Sequence, residues 1–306
     1  MHFLRALTLA LSFFSGAVLA QTKITLGYTA VPDFAAAFIA KERGFFEKRG
    51  LDVQLQLITL TSNIPATLVS NSAQIGGTTP TVFLQATDGG LDLVAIASGA
   101  LSENTTPTIG VVARPEGGIR EPKDLIGKKF GVPGLNGNLH VLVRRWLALN
   151  GVDPKQVTFI ELPLPQMPDV LRGGSVDAVV TAEPFITRMR SGGIGVPLQG
   201  FAASMPNGFS TTVYTATRKW ATSNGPAVHA FREALAEAVA FATNNRNEAY
   251  ADLGKYFKVP QPVLQATPWP QLASDIKESH VGFWVNTMRE QDMLKKQPAL
   301  ASLIAK

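Results

Sequence analysis

The stretch from Gly131 to Leu149, "GVPGLNGNLHVLVRRWLAL", joins a turn rich in glycine and asparagine to a run of apolar residues. The apolar residues after the turn recur every three or four positions, which predicts a helix with one buried face. Arg144 and Arg145 fall on the opposite side, where we expect them to face water. The turn "GLNGN" therefore precedes the first turn of a core helix.

Such a helix start can bind an anion. We expect Asn136 or Asn138 to cap the helix, while Gly134 and Gly137 let the backbone come close to a ligand. Amides without an intrahelical partner, together with the helix dipole, suit an oxyanion. Each charge-assisted hydrogen bond contributes about 1.5–3 kcal/mol, so two or three make a workable anchor. The alternative is a plain cap over a core helix.

Polar residues also precede two helices predicted earlier in the chain. Ser62 and Asn63 come before "IPATLVSN", and Thr78 and Thr79 come directly before a helix that starts with proline. Their hydroxyls, amides and neighbouring backbone donors are expected to face the same ligand from the side opposite "GLNGN". Asn63 and Thr79 are the strongest candidates of this set.

Other candidates have a structural alternative. Glu183 ends a predicted strand just before a proline-started helix. Its carboxylate either accepts a hydrogen bond from an amine or ring N–H of the ligand or pairs with a donor of the opposite lobe. The alternative is that it only caps the helix that follows. Asp33 is expected to cap the helix that follows it, and Phe34 belongs either to the ligand wall or to the core. Asn207 and Phe209 are weaker candidates for a lid.

Catalytic and metal chemistry find no support in the residue pattern. The four histidines are scattered and the chain has no cysteine, which argues against a zinc site, a thiolate nucleophile and a Ser–His–Asp arrangement. "GVPGLNGN" matches neither GxGxxG with an acid downstream nor GxxxxGK[ST], so nucleotide binding is disfavoured. We predict a binding protein without a metal or other cofactor.

The elements that position these residues alternate between strand and helix. "KITLGYTA" and "LDVQLQLITL" read as strands around the helix "DFAAAFIAKERGFF", and the pattern restarts at Thr108 with "TIGVVARP". "SAQIGGTT" and "SVDAVVTA" form a weak internal echo, since each contains a short strand and ends near a proline-started helix. The pattern predicts two α/β lobes with a ligand cleft between them.

Composition and the N-terminus indicate an exported protein. The chain has 306 residues, 45% hydrophobic and 17% charged, and a net charge of +5 without a long basic run, which disfavours nucleic acid as a partner. Residues 1–20 have the layout of a signal peptide cleaved after Ala20, with an apolar run shorter than the roughly 20 residues of a membrane span. Without cysteine there is no disulfide and no lipidated residue, so we expect the mature protein to be free in the periplasm.

Three segments of the chain resemble a known family. "GYTAVPDFAAAFIAKERGFFEKRGLDVQLQL", "DLIGKKFGVPGLNGNLHVLVRRWLALNGVD" and "VLRGGSVDAVVTAEPF" are similar to the substrate-binding proteins of ABC importers for sulfonates, taurine and nitrate, a family that also contains binding proteins for pyrimidine precursors of thiamine. The resemblance implies the type II periplasmic-binding-protein fold, with two α/β lobes joined by two crossing segments. It also places Glu183 where the family presents a side chain to the ligand.

The resemblance further implies lobe boundaries. The first lobe would comprise residues 21–106 and a return from 215 to 306 with C-terminal helices, and the second lobe residues 107–214. The crossings would lie near "TTPTIG" and "VYTATR". The restart of the pattern at Thr108 indicates the first crossing independently.

The expected function is the capture of a small organic anion, sulfonate- or carboxylate-like, by a monomeric protein that delivers it to an ABC permease. A protein that presents its ligand to a sensor is an alternative. An enzyme resembling the pyrimidine synthase of thiamine formation is disfavoured, because that enzyme needs a cysteine-rich iron site and a cytosolic address.

Overall fold

A computed structural model describes residues 21–305, so the predicted signal peptide and its cleavage site lie outside the described residues. This range contains eleven strands and eleven α-helices. The strands are β1 (Thr22–Tyr28), β2 (Leu51–Leu57), β3 (Ile75–Thr78), β4 (Leu93–Leu101), β5 (Ile109–Ala113), β6 (Lys129–Val132), β7 (Thr158–Glu161), β8 (Ala178–Ala182), β9 (Val196–Pro197), β10 (Ser210–Thr217) and β11 (Gln271–Leu272). The helices are α1 (Ala35–Glu42), α2 (Ile64–Val69), α3 (Pro80–Asp88), α4 (Asn138–Leu149), α5 (Met167–Arg172), α6 (Phe185–Ser191), α7 (Arg218–Ser223), α8 (Gly225–Asn244), α9 (Arg246–Gly254), α10 (Gln261–Gln265) and α11 (Glu278–Arg289).

The strands form two sheets, one in each lobe. The first sheet has the order β11-β4-β10-β3-β1-β2, and the second has the order β7-β6-β8-β5-β9. In the first, β1 is parallel to β2 and β3, whereas β10 is antiparallel to β3 and β4. In the second, β6 is parallel to β7 and β8, whereas β5 is antiparallel to β8 and β9. The mixed α/β architecture is the one that the alternating pattern predicts.

The two sheets share one topology. β1 lies between β2 and β3 in the first sheet, and β6 lies between β7 and β8 in the second. The next neighbour of β3 is β10 and that of β8 is β5, and each of these is an antiparallel strand that arrives from the other lobe. The internal echo in the sequence falls on equivalent strands, β3 and β8. Each of these strands is followed by a polar residue and a proline, Thr79-Pro80 in the first lobe and Glu183-Pro184 in the second.

The chain crosses between the lobes twice. It leaves the first sheet after Leu101 and enters the second at Ile109. It leaves the second sheet after Pro197 and returns at Ser210, because all of β10 pairs with β3 and β4. The expectation of a crossing at "VYTATR", with the second lobe extending to Tyr214, is therefore corrected: that segment is a central strand of the first sheet.

Helix packing explains the long apolar runs. The side chains of α1 from Ala35 to Ala40 are fully buried, and α1 packs against the 20-residue helix α8 and against α9. Phe46 stacks on Phe231 of α8 with ring centroids 5.4 Å apart. Near the C-terminus, α11 contacts both α3 and α4, so it touches both lobes. Within residues 21–305, no helix is long and apolar enough to cross a membrane.

Candidate functional site

A cavity of about 70 Å³ lies between the two lobes. Both lobes contribute to its wall, and so does the C-terminal helix α11. The lining side chains and backbone atoms belong to Thr29, Val31, Asp33, Thr61, Ser62, Thr79, Val82, Ile109, Pro133, Gly134, Gly137, Asn138, Leu139, Leu142, Leu164, Ala182, Phe209, Thr211, Thr212 and Trp284. The wall combines apolar side chains with a ring of neutral polar groups, and its one carboxyl among the described residues is that of Asp33.

The turn "GLNGN" reaches this cavity through its glycines and its last asparagine. The N-cap of α4 is Gly137, not Asn136 or Asn138, and no side chain caps this helix start. Asn136 adopts a left-handed conformation (φ 65°), its backbone N–H donates to Nδ1 of His140 at 2.8 Å, and its exposed side chain does not line the cavity. Gly137, Asn138 and Leu139 at the start of α4 line the cavity, and no side chain caps the first-turn amides of this helix.

Asn138 connects the two lobes. Its Oδ1 accepts a hydrogen bond from the N–H of Thr81 at 3.3 Å, and its Nδ2 donates to the carbonyl of Thr211 at 2.6 Å. The side chain is 6% exposed and lines the cavity. One residue of the second lobe thus touches the start of α3 and strand β10, both in the first lobe.

In the first lobe, two of the four predicted residues line the cavity. Ser62 belongs to the short 3₁₀ turn before α2, and Thr79 is the N-cap of α3, where its Oγ1 accepts from the N–H of Val82 at 3.5 Å. Asn63 is exposed at the start of α2, makes no side-chain cap and lies outside the wall. Thr78 is also outside the wall, because it is 1% exposed within strand β3.

Phe34 belongs to the core and not to the cleft wall. Its ring is fully buried and meets the ring of Tyr214 edge-on, with centroids 5.4 Å apart. A Cβ on Gly77 would lie 2.8 Å from the Phe34 ring, so the glycine makes room for it. The cleft-wall alternative is therefore wrong for this residue.

Glu183 and Asn207 lie at the hinge side of the lobes. The Glu183 carboxylate accepts from the N–H and the Oγ1 of Thr187, both at 3.0 Å, so it caps α6 and faces a separate cavity of about 340 Å³. Burial raises the pKa of Glu183. Asn207 accepts from the N–H of Asn104 at 2.8 Å and thereby ties the two crossing segments together. Neither side chain lines the inter-lobe cavity, whereas Phe209 does.

Arg145 is not simply solvated as its helical position predicts. Its guanidinium donates to the carbonyl of Ser204 at 3.3 Å and lies 5.9 Å from the ring centroid of Phe283. It therefore links α4 to the second crossing segment and to α11.

Several lining residues escape the sequence pattern. Asp33 is 7% exposed and accepts a hydrogen bond from the Thr211 hydroxyl, and it caps neither the 3₁₀ turn that contains it nor α1. Burial raises the pKa of Asp33, and the Thr211 hydrogen bond opposes this shift. Trp284 arrives from α11, where its Nε1–H donates to the carbonyl of Ser210 at 2.7 Å. Of Asp33 and Trp284, only Asp33 could have been suspected from the sequence, because it is an acid in the loop after the first strand.

The electrostatics of the cavity rest on neutral donors. No lysine, arginine or histidine is among the described residues of its wall. Hydroxyl groups, the Asn138 amide and the first-turn amides of α4 are the groups that can hold a polar ligand. In residues 21–305 no group of three or more His, Cys, Asp or Glu side chains is arranged to hold a metal ion.

The profile of the NMT1/THI5-like family matches residues 31–249, which is most of the chain and includes both crossings. The chain belongs to the NMT1/THI5-like family. Its fold is also that of an alkanesulfonate-binding protein SsuA from Xanthomonas axonopodis pv. citri, solved with MOPS, at a TM-score of 0.78 and 18% identity over 93% of this chain and 98% of that one. The two-lobed periplasmic-binding-protein fold is therefore established for this NMT1/THI5-like chain.

Curated relatives agree with this family assignment. The chain is 25% identical over 268 residues to the nitrate import ATP-binding protein NrtC of Synechocystis, covering 82% of this chain and 39% of that protein. It is 24% identical over 318 residues to the bicarbonate-binding protein CmpA of Synechococcus elongatus, covering 90% of this chain and 66% of that protein. The chain thus spans well under half of NrtC and about two thirds of CmpA.

Proposed function

We propose that this chain is the solute-binding component of an ABC importer, which captures a small organic anion, sulfonate- or carboxylate-like, between its lobes and delivers it to the permease. The observation that carries the proposal is the cavity at the lobe interface, whose wall combines the uncapped start of α4 from one lobe with Thr79 and Ser62 from the other. Groups from both lobes converge on one small volume.

The anionic preference rests on the helix starts. Two helix N-termini, those of α3 and α4, meet at the cavity, and their dipoles favour a negative charge placed between them. The names of three similar proteins refer to nitrate, bicarbonate and alkanesulfonate, which are all anions. An anion held by neutral donors accounts for a wall without basic side chains.

The size of the cavity limits the solute that fits this closed arrangement. A water occupies about 10–15 Å³ on the same measure, so about 70 Å³ holds roughly five waters, or a solute of a few heavy atoms. Larger solutes require a wider separation of the lobes.

The proposed mechanism is lobe closure without bond breaking. A ligand that contacts both lobes favours the closed state by its differential affinity for that state, and the permease distinguishes closed from open. The proposal includes export to the periplasm with cleavage after Ala20, and action as a monomer.

A thermal-shift screen of the mature protein tests the proposal. The panel contains methanesulfonate, ethanesulfonate, 2-aminoethanesulfonate, acetate, propionate, nitrate and bicarbonate. A ligand at a hundred times its Kd should add about 2.7 kcal/mol to the free energy of unfolding. Thr79→Val should reduce the shift, and Thr158→Val, at an exposed position of β7, should leave it unchanged. A panel without any shift, or a compound that is chemically consumed, contradicts the proposal.

A further inference from the structure

A second cavity, of about 300 Å³, lies on the first lobe beside the first crossing. Its wall combines the end of α8, the first residue of α9, the segment that leads into β11, and one residue of the crossing. The wall residues are Thr106, Val239, Thr243, Arg246, Trp269, Pro270, Gln271 and Leu272. None of them lines the inter-lobe cavity, so this Arg246 cavity is a separate feature of the surface.

Arg246 is the one charged residue in this wall within residues 21–305. Its guanidinium carbon lies 4.4 Å from the ring centroid of Trp269, within the range of a cation–π contact. The Trp269 ring meets the ring of Tyr250 edge-on, with centroids 4.9 Å apart. The Tyr250 hydroxyl in turn donates to the carbonyl of Thr267 at 2.6 Å. Aromatic packing, and not an acid, therefore orients the guanidinium.

The described part of the chain does not compensate the positive charge of Arg246. Its Nη1 is buried and has no hydrogen-bond partner within residues 21–305, and no carboxylate lines the cavity there. Glu248, the acid nearest to Arg246 along the chain, pairs with Arg43 at 2.8 Å. Burial lowers the pKa of Arg246, as expected for a cation that loses water without gaining an acid. A partly buried guanidinium with an unmet donor therefore attracts an anion.

Uncharged donors lie around the same space. The Gln271 amide and the Thr106 hydroxyl belong to residues that line the cavity. The backbone of Gln271 is fixed because β11 pairs with β4, which places this residue opposite Leu101 at the end of β4. A planar guanidinium beside amide and hydroxyl donors matches the several oxygen atoms of a carboxylate, sulfate or phosphate group. A monatomic anion such as chloride offers no second acceptor atom to this arrangement.

We infer that the Arg246 cavity is a second anion site, outside the cleft, for a small oxyanion that carries a phosphate, sulfate or carboxylate group. Arg246 supplies the charge and the forked donor, and Gln271 and Thr106 supply neutral donors. The cavity holds roughly twenty waters at about 10–15 Å³ each, so an oxyanion enters it with part of its hydration shell. This site goes beyond the proposed solute binding and does not depend on it.

The indole N–H signals of the four tryptophans in a proton–nitrogen correlation NMR spectrum test for the site. Trp269 lines the Arg246 cavity and Trp284 lines the inter-lobe cavity, so each signal reports on one of the two. Substitution of each tryptophan by phenylalanine assigns the signals. Inorganic phosphate then replaces chloride at constant ionic strength, which keeps electrostatic screening unchanged. The Trp269 signal should shift with phosphate and saturate.

The Arg246→Gln variant removes the charge and the forked donor. It should weaken phosphate binding at this site by at least about tenfold, the effect of one lost charge-assisted hydrogen bond. Arg120→Gln is the matched control, because it changes the net charge equally at an exposed residue that lines neither cavity. The control should bind phosphate as the wild type does. Thermal melting followed by circular dichroism establishes that both variants fold.

The outcomes separate this anion site from the proposed solute binding. A saturable Trp269 shift that weakens in Arg246→Gln and not in Arg120→Gln supports the site. A Trp269 signal that phosphate leaves unchanged overturns it, because the stacked arginine then serves packing alone. An equal loss of affinity in the two variants, or a shift of the Trp284 signal alone, also overturns it. Solute binding in the cleft is measured with its own panel and stands in each of these cases.

Discussion

The side-chain nitrogen of Asn138 donates to the carbonyl oxygen of Thr211 across the cleft at 2.6 Å. The same amide accepts from the N–H of Thr81 at 3.3 Å, so its oxygen and one of its two N–H donors are paired with the opposite lobe. An amide is the neutral group that can do both. Asn138 thus acts as a clasp between α4 and the first lobe in the arrangement described here.

Replacing Asn138 by Asp should weaken the closed state. A carboxylate cannot donate to the Thr211 carbonyl, and it brings a negative charge to the helix start that we propose binds an anion. We expect solute affinity to fall about tenfold or more, measured by calorimetric titration. Asn247→Asp, at an exposed position of α9, is the charge-matched control and should bind as the wild type does. Equal affinity of the two variants would argue against the clasp.

Acid should destabilise the protein through His140. Burial and the nearby Arg144 lower the pKa of His140 from 6.5 to about 4, so the folded chain resists a proton that the unfolded chain accepts. The free energy of unfolding should therefore decrease as the pH falls from 6.5 to about 4, by about 3 kcal/mol in total. Above pH 6.5 this contribution is fully present.

Chemical denaturation at several pH values measures this slope. Between pH 6.5 and 4, the unfolding free energy of His140→Gln should change less with pH than that of the wild type. His229 has a side chain that is 72% exposed, so His229→Gln should keep the wild-type slope. Protonation also removes the Nδ1 acceptor of the Asn136 N–H, so the turn before α4 should loosen at low pH. An identical slope in His140→Gln and the wild type would refute the assignment.

A methyl group at Gly99 should disturb the part of the cavity wall that Asp33 and Thr212 form. It would lie 2.3 Å from Thr212 Oγ1 and 3.0 Å from the Asp33 carbonyl oxygen, so the strand or the turn must shift. Overpacking of this kind costs about 1–3 kcal/mol of stability, and we expect reduced solute affinity as well. Gly225→Ala is the control, since no atom lies within 4 Å of the added methyl group. Urea unfolding measures the stability of both variants, and titration calorimetry measures their solute affinity. A Gly99→Ala protein as stable as the Gly225→Ala control would contradict the predicted overpacking.

Trp284→Phe should lower stability by leaving the Ser210 carbonyl without its donor. The indole N–H donates to that oxygen at 2.7 Å in a buried environment, and an unsatisfied buried acceptor costs about 1–3 kcal/mol. Trp220→Phe replaces a partly buried tryptophan and serves as the comparison. The thermal midpoint of Trp284→Phe should be the lower of the two, and the reverse order would show that the hydrogen bond contributes little.

Much of the fold is predictable from the chain because its determinants are local. The period of two in "KITLGYTA" and the helical spacing in "NLHVLVRRWLAL" correspond to β1 and α4, and the proline after Thr79 marks the start of α3. The second crossing was misplaced, since "VYTATR" has the same alternation whether it crosses between lobes or pairs within a sheet. Only the pairing of β10 with β3 and β4 distinguishes these possibilities.

The candidate site was predicted in part. Ser62, Thr79, Gly137 and Asn138 line the cavity, and each lies directly before a helix or in its first turn, where the sequence marks polar groups. Glu183 has the same local setting as Thr79, and each side chain accepts from a first-turn N–H of its helix, yet only Thr79 lines the inter-lobe cavity. The local pattern gives the position of a residue on an element but does not specify which way its side chain points.

The sequence alone determined the alternation of strands and helices, the start of α4 at "GLNGN", the family resemblance and the N-terminal export pattern, because each depends on residues that are neighbours along the chain. Only the tertiary structure decided the chemistry of the cleft. Asp33 meets Thr211 across 178 residues, and Asn138 meets Thr81 across 57. The first pair forms only when β10 returns to the first sheet, and the second only when the two lobes pack against each other. No periodicity within either segment encodes these contacts.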